Sequence, residues 1–147
     1  MLDINLNKSN ILDLYSGVGS FGLECVSRGA DKVIFVERDK NAAETLNANL
    51  LTLSINDRAT VMNEKIIDFL NRKQFRKFNI FFLDPPFTDN SFLEELKLIK
   101  QKKIYKNNHI VIIHREQKSS DNFTKVINPI IIKKYGRSKI IFAKFLS

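Results

Sequence analysis

The sequence has few of the residues that stabilise secreted or membrane proteins. Its 147 residues include a single cysteine, which excludes an internal disulfide framework. No apolar run approaches the ~20 residues that span a bilayer. Residues 1–10 contain acids and amides instead of a basic stretch leading into an apolar one, so we expect no signal peptide. These absences predict a cytoplasmic protein with no membrane partner, and the length of 147 residues predicts one domain.

Acidic residues are outnumbered by basic ones. The chain has 24 Lys and Arg residues against 16 Asp and Glu residues, a formal net charge of +8. Such an excess favours an anionic partner, most obviously nucleic acid. The alternative explanation is a lysine-rich composition that only keeps a small protein in solution.

Side chains that bind metals or act as nucleophiles are also scarce. The two histidines, His109 and His114, flank a predicted strand and lack Cys or acidic residues at metal-site spacing, so we expect no metal. Cys25 falls inside a predicted helix, where a free cysteine is typically part of the core. His114 and Arg115 follow the carboxyl end of their strand, where they are candidates for an RNA contact.

Apolar strands alternate with amphipathic helices along most of the chain. The predicted strands are Asn10–Leu14, Lys32–Glu37, Ala59–Met62, Asn79–Leu83 and His109–Ile113. The predicted helices are Ser20–Arg28, one that follows Asp39, Lys65–Arg72 and one that follows Ser91. Two last strands, Ile130–Tyr135 and Lys139–Phe145, form a β-hairpin. This order predicts an α/β fold with a mostly parallel sheet of about seven strands and one antiparallel strand near an edge.

Local signals mark the ends of these helices. Gly29 can close the first helix in a left-handed conformation, and Asp39 can cap the second. The second helix places four apolar residues on one face: Ala43, Leu46, Leu50 and Leu53. Ser91 and Glu94 match a capping box for the fourth helix, whose buried face would hold Phe92, Leu96 and Ile99.

A glycine-rich turn follows the first predicted strand. Gly17, Gly19 and Gly22 match G-x-G-x-x-G, in which the backbone approaches a ligand and N–H groups at a helix start face it. Glu37 ends the next strand, where an acid accepts hydrogen bonds from ribose hydroxyls. The pattern suits NAD, FAD and S-adenosylmethionine alike. The structural alternative is that the glycines serve only close helix–strand packing.

An acid before the glycines narrows the choice of cofactor. Asp13 lies four residues before Gly17. A pyrophosphate would meet a like charge there, whereas the cationic amino-acid tail of S-adenosylmethionine would meet an opposite one. The turn therefore favours S-adenosylmethionine.

The segment Asp84-Pro85-Pro86-Phe87 ends the fourth predicted strand. Its two prolines supply no backbone N–H, so neither a strand ladder nor a helix continues through them. The Asp84 carboxylate and the Pro85 carbonyl can each accept an N–H from a base amine, which orients the nitrogen for in-line methyl transfer. Phe87 can stack on the base, and Asp84 can help to remove the released proton. The alternative is a rigid turn with Phe87 in the core.

Three segments together resemble a known family. They are DLYSGVGSFGLECVSRGADKVIFVERD within Ile11–Leu53, FLDPPF, and the terminal KKYGRSKIIFAKF. The chain is similar to the RsmD family, bacterial methyltransferases that act on a guanine N2 amine of small-subunit ribosomal RNA. The resemblance implies a Rossmann-like sheet of strand order 3-2-1-4-5-7-6 with the seventh strand antiparallel. It also implies S-adenosylmethionine as donor and ribosomal RNA, within a partly assembled small subunit, as substrate.

The resemblance implies roles for individual residues as well. Asp13, Gly17 and Gly19 would line the methionine end of the cofactor, and Glu37 would hold its ribose. The residues Asp84, Pro85, Pro86 and Phe87 would present the target guanine.

The chain departs from the family pattern at two places. Family members carry a basic segment ahead of the first strand, so we expect residues 1–147 to be a single methyltransferase domain without that extension. After the third strand, where such enzymes often read adenine with Asp or Asn, this chain has Lys65, which cannot accept a hydrogen bond. Asn63, Glu64 or backbone groups would then read the adenine.

Other functions remain open at this stage. An adenine-N6 methyltransferase on DNA or RNA is the nearest alternative, because Asp-Pro-Pro-aromatic turns also bind that amine. A non-catalytic RNA-binding relic of the family would explain the missing segment and Lys65. A nicotinamide-binding protein would have no use for the Asp-Pro-Pro-Phe turn. We expect a monomer, with Arg137 and Lys139 as further candidates for an RNA contact.

Overall fold

The structure is a computed structural model that describes residues 5–73 and 76–147. These residues form one seven-stranded sheet with helices on both faces. Residues 1–4, at the start of the segment in which we expect no signal peptide, lie outside these ranges. The strands are β1 (Asn10–Leu14), β2 (Lys32–Val36), β3 (Ala59–Met62), β4 (Phe78–Leu83), β5 (Tyr105–Glu116), β6 (Ile127–Tyr135) and β7 (Ser138–Phe145). The helices are α1 (Ser20–Ser27), α2 (Lys40–Thr52), α3 (Ile66–Asn71) and α4 (Phe92–Lys102).

The strand order is β3-β2-β1-β4-β5-β7-β6. Strands β1 to β5 pair in parallel, and β7 runs antiparallel to both β5 and β6. This order confirms the Rossmann-like methyltransferase fold. Within the described ranges, no helix is long and apolar enough to cross a membrane.

Two hydrophobic clusters form where the helices pack on the sheet, and each contains buried residues of both strands and helices. One contains buried residues of α1 and α2, including Cys25 and Leu46. The other contains buried residues of α3 and α4, including Phe69 and Leu96. The central strands are covered on both faces, which explains their nearly continuous apolar sequences. Cys25 is buried, as its place in the predicted core required.

Strand β5 is longer than the predicted His109–Ile113. It begins at Tyr105, which pairs with Phe78 of β4, and the register between the two strands shifts before Ile80. The polar residues 106–108 accompany this irregularity and interrupt the apolar pattern, which concealed the first part of the strand.

Strand β6 begins at Ile127, three residues before the predicted start. Pro129 lies inside it and cannot donate to a neighbouring strand. The strand tolerates this because it forms the edge of the sheet, and its register shifts between Pro129 and Ile131.

The predicted helix caps had mixed outcomes. The Asp39 carboxylate accepts the Ala42 N–H at 2.9 Å, and Gly29 has φ 101°, so both of those predictions are confirmed. The capping box is wrong, because the Ser91 hydroxyl donates to Asp89 Oδ1 at 2.6 Å instead. Leu53 is also not on the buried face of α2, since it follows the last turn and is 56% exposed.

Close packing of α1 on β2 requires glycine at position 22. A Cβ there would lie 2.3 Å from Cε1 of Phe35, which is fully buried. A Cβ on Gly19 would lie 2.5 Å from Cδ1 of Leu46 and would also need φ +82°. Two of the three glycines in the turn therefore allow helix–strand packing, whatever else they do.

We expect Gly22→Ala to lower the free energy of unfolding by about 1–3 kcal/mol, the usual effect of overpacking a core. Urea denaturation measures this loss. In the Phe35→Leu background the same substitution should cost less, because the ring that it strikes is gone. Equal costs in both backgrounds would contradict this account of Gly22.

Candidate active site

The carboxyl ends of β1, β2, β3 and β4 border a cavity of about 620 Å³, a size typical of small-molecule sites. It lies at the edge where open α/β sheets bind ligands. Its lining is Tyr15, Gly17, Val36, Glu37, Arg38, Glu64, Lys65, Ile66, Ile67, Asp84, Pro86, Asp89, Ser91, Glu94 and Glu95. Five residues predicted for the site are therefore brought together: Gly17, Glu37, Glu64, Asp84 and Pro86.

The turn after β1 forms one wall of the cavity in an unusual backbone conformation. Tyr15, Gly17 and Gly19 have φ values of 59°, 56° and 82°. A tyrosine in the left-handed region is strained, and such strain persists only where surrounding contacts impose it. Here the Tyr15 hydroxyl donates to the carboxylate of Glu95, 2.8 Å from each oxygen. Burial raises the pKa of Glu95 to about 7.

The carboxylate of Glu37 joins two loops. Its Oε1 accepts the Gly17 N–H at 2.7 Å, and its Oε2 accepts the Asp39 N–H at 2.8 Å. The glycine-rich turn and the loop after β2 are thereby held together at the rim of the cavity. Because each carboxylate oxygen has two lone pairs, Glu37 can still accept hydrogen bonds from a ligand.

Asp13 lies behind the cavity wall and does not line it. It is 1% exposed, and its Oδ2 accepts the N–H of Gly22 at 3.1 Å. Within the described part of the chain, its Oδ1 has no hydrogen-bond partner. Burial raises the pKa of Asp13 to about 8, against the lowering effect of its hydrogen bonds. A cationic group placed near the turn would offset this burial of a carboxyl.

The loop after β3 reaches the cavity through two residues, Glu64 and Lys65. The Asn63 amide instead donates to the carbonyls of Glu37 and Arg38, at 2.8 and 3.1 Å. It therefore holds the loops after β2 and β3 together and is not part of the lining. Glu64 is paired with Arg72 at 2.5 Å.

Two residues of the Asp-Pro-Pro-Phe turn, Asp84 and Pro86, line another part of the cavity. Pro85 is buried, whereas the Phe87 ring is 40% exposed and is therefore not in the core. The Asp84 carboxylate lies 2.9 Å from Nδ1 of His114, whose ring meets that of Phe87 edge to face at 5.6 Å. Asp84 lines the cavity, whereas Pro85, Phe87 and His114 are not among its lining residues.

A buried guanidinium holds this turn from beneath. Arg115 is 1% exposed, and it donates to the carbonyls of Pro86 and Phe87 at 3.2 and 3.1 Å. It also donates to both oxygens of Asp121, at 2.9 and 3.2 Å, and lies 4.6 Å above the ring of Phe92. Arg115 is a structural residue of the site and not the RNA contact for which its position made it a candidate.

Several of these residues carried no signal in the sequence. Glu95 and Asp121 belong to no motif, and Tyr15 lies in the glycine-rich turn without a predicted role. Only the structure shows their partners. Lys139, a candidate for an RNA contact, donates to the Ser119 carbonyl at 2.8 Å. The two ranges that the structure describes contain no group of three metal-binding side chains.

The charge of the lining suits a cationic ligand. Six of its residues are acidic and two are basic, in a protein whose net charge is +8. The acidic residues are Glu37, Glu64, Asp84, Asp89, Glu94 and Glu95. A sulfonium or ammonium group would be attracted to this cavity and a pyrophosphate repelled. The residues present therefore fit S-adenosylmethionine better than NAD or FAD.

The sequence is also similar to those of known proteins. A family model described as "Conserved hypothetical protein 95" matches residues 1–144. The Ribosomal RNA small subunit methyltransferase D of Haemophilus influenzae is 37% identical over 114 residues, 76% of this chain and 59% of that protein. The chain thus spans less than two thirds of this relative's length.

Solved structures share the whole architecture. One from Haemophilus influenzae, described as a methylase, has a TM-score of 0.86 and 31% identity, covering 97% of this chain and 89% of its own. Another, described as an S-adenosylmethionine-dependent methyltransferase of Streptococcus mutans, has a TM-score of 0.74 and 15% identity. It covers 94% of this chain and 45% of its own, and it shows a shared fold.

We expect Arg115→Met to lower the free energy of unfolding by about 3–5 kcal/mol, because Asp121 is left buried without its partner. Urea denaturation measures the change. Arg115→Met combined with Asp121→Leu should recover much of the loss, since an apolar pair can replace a buried ion pair. A double variant no more stable than the single one would rule out this explanation.

The raised pKa of Asp13 predicts a pH-dependent stability. Its folded-state pKa of about 8 lies above the ordinary aspartate value of 3.8, so Asp13 ionises at lower pH in the unfolded chain. The free energy of unfolding therefore falls as the pH rises between those two values. We expect Asp13→Asn to be the more stable form near pH 8 and to lose that advantage near pH 4. Thermal and urea unfolding across this range measure the difference, and parallel stability curves would contradict it.

Proposed function

Because the chain belongs to the RsmD family, we propose that it methylates the N2 amine of a guanine in small-subunit ribosomal RNA, with S-adenosylmethionine as donor. One observation carries this proposal: Gly17 and Glu37 share a cavity with Asp84 and Pro86. The residues expected to bind the cofactor and those expected to bind the base border the same space. Direct transfer between two bound molecules requires this arrangement.

Residues of three loops would hold the cofactor. The Glu37 carboxylate accepts hydrogen bonds from the ribose hydroxyls with its remaining lone pairs. The backbone N–H groups of Gly17 and Asp39 fix the orientation of this carboxylate. Asp13 compensates the ammonium charge from behind the turn. Glu64 accepts a hydrogen bond from the adenine amine, because Asn63 does not line the cavity and Lys65 has no acceptor. S-adenosylmethionine, when bound, supplies a methyl group activated by its sulfonium.

The Asp-Pro-Pro-Phe turn would hold the base. An exocyclic amine is a poor nucleophile because its lone pair is delocalised into the ring. The Asp84 carboxylate and the Pro85 carbonyl each accept one of its N–H groups, which directs the nitrogen toward the cofactor. The exposed ring of Phe87 stacks on the base, a contact worth ~1–3 kcal/mol in single-stranded nucleic acid.

Methyl labelling tests the proposal and its alternatives together. Purified protein is incubated with radiolabelled S-adenosylmethionine and small-subunit particles from cells that lack this gene, and the methylated base is mapped by mass spectrometry. Label on guanine N2 supports the proposal. Label on adenine N6 would favour the alternative amine, and cofactor binding without any label would favour a non-catalytic relic. Absence of cofactor binding at millimolar concentration would exclude both methyltransferase functions.

The same assay tests the state of the substrate. Naked small-subunit RNA, partly assembled particles and mature subunits are compared at equal RNA concentration. We propose partly assembled particles as the preferred substrate, so their labelling rate should be the highest of the three.

We expect Asp84→Ala to lower the methylation rate by about 100-fold or more, because the amine loses its acceptor. Affinity for S-adenosylmethionine, measured by calorimetry, should stay the same, since the variant removes no group assigned to the cofactor. Thr88→Ala, an exposed neighbour in the same loop, serves as the control and should keep the wild-type rate. Equal rates for Asp84→Ala and the control would refute the role of Asp84.

A further inference from the structure

The end of β5 lies beside the end of β4, where the proposed reaction takes place. Leu83 pairs with Ile113 in the parallel register of the two strands, so the residues that follow, Asp84 and His114, are neighbours. Their side chains meet at 2.9 Å, between Oδ1 of Asp84 and Nδ1 of His114. The His114 ring also contacts the ring of Phe87, edge to face at 5.6 Å. One imidazole therefore touches both side chains assigned to the base.

The two prolines make this hydrogen bond important. An aspartate in a turn commonly accepts the backbone N–H two residues further on. Here that position is Pro86, and the residue between is Pro85, so neither has an N–H to donate. Within residues 5–73 and 76–147, the His114 ring provides the one hydrogen bond to the Asp84 carboxylate, which is 47% exposed.

The contact also fixes where the imidazole proton lies. A carboxylate has no proton to donate, so Nδ1 of His114 carries the hydrogen and donates it to Oδ1 of Asp84. The second carboxylate oxygen, Oδ2, is then left for the substrate amine. Nδ1–H is held in place by an acceptor on the neighbouring strand, as in sites where an acid and a histidine orient each other.

We propose that His114 is a positioning residue for methyl transfer: its Nδ1–H fixes the Asp84 carboxylate so that Oδ2 faces the base amine, and its ring sets the angle of Phe87. This inference rests on the proposed function. It gives His114 a role in the reaction that differs from a general contact with RNA.

Nearby charged groups do not compete for this contact. Arg115, the next residue of β5, is engaged with Asp121 and with the carbonyls of the turn. On the neighbouring strand β7, Lys139 lies opposite Arg115 in the strand register and donates a hydrogen bond to the Ser119 carbonyl. His114 itself is opposite the apolar Ile140.

NMR of the imidazole nitrogens tests the pairing without any assay of activity. At a pH where both imidazoles are neutral, we expect His114 to carry its proton on Nδ1 in the wild type and on Nε2 in Asp84→Ala. His109 is an internal reference, because its Nδ1 lies 2.6 Å from the Lys106 carbonyl and its Nε2 accepts the Phe145 N–H. Its signals should be the same in both proteins. An unchanged His114 tautomer in Asp84→Ala would overturn the inference.

Kinetics test the consequence of the pairing for the reaction. His114→Leu removes the donor, and we expect kcat to fall about 10- to 100-fold, the effect of a misplaced catalytic group. His114→Asn keeps an N–H near the position of Nδ1 and should restore most of the rate. Affinity for S-adenosylmethionine and thermal stability should be similar in all three proteins.

The outcomes separate this inference from the function on which it rests. An inactive wild type would defeat both. An active wild type with full activity in His114→Leu would defeat only the positioning role. A loss that His114→Asn does not rescue would show that the hydrogen bond to Asp84 is not what matters, and it would also overturn the inference.

Discussion

The geometry of the site depends on the buried guanidinium of Arg115. The two prolines of the Asp-Pro-Pro-Phe turn fix backbone angles but supply no N–H, so the turn cannot secure itself as ordinary turns do. Arg115 instead donates to the carbonyls of Pro86 and Phe87, while Asp121 neutralises its charge. A free charge at this depth would be strongly unfavourable, so the turn, the arginine and the acid are stable only together. Strand β5 therefore determines the position of a motif that belongs to β4.

The other wall of the cavity is built on the same principle. Glu37 follows β2, yet it binds the backbone of Gly17 in the turn after β1, and Asn63 after β3 binds the carbonyl of Glu37. The loops after β1, β2 and β4 are each held by a side chain from another part of the sheet edge: Glu37, Asn63 and Arg115. Such cross-links let flexible connections keep a fixed geometry, which a site that transfers a group between two ligands needs.

Most of the fold could be predicted from the sequence, because apolar runs, helix stops and the family resemblance all indicated the same sheet. Details that depend on which of several side chains makes a contact could not be predicted from the sequence. Ser91 matches a capping box in the sequence, but its hydroxyl donates a hydrogen bond to Asp89 instead. The sequence makes Arg115 only a candidate for an RNA contact, because it follows a predicted strand, and its partner Asp121 lies in a loop without periodicity. The burial of Asp13 also follows from packing that no spacing rule describes.

The protein as a whole is positively charged, whereas the lining of its cavity is mostly acidic, and the two charges act on different parts of the ligands. A net charge of +8 creates a field that attracts RNA phosphates over a distance, whereas the six acids of the lining repel phosphate at close range. For the proposed reaction, the backbone of the substrate is thus drawn to the surface but kept out of the cavity. A cationic cofactor would instead be attracted to the cavity. Burial raises the pKa values of Asp13 and Glu95, and a positive charge placed nearby would lower them. The base is neutral, so the acidic lining does not repel it as it repels phosphate. Asp84 and Pro86 of the Asp-Pro-Pro-Phe turn line the cavity that the base would enter.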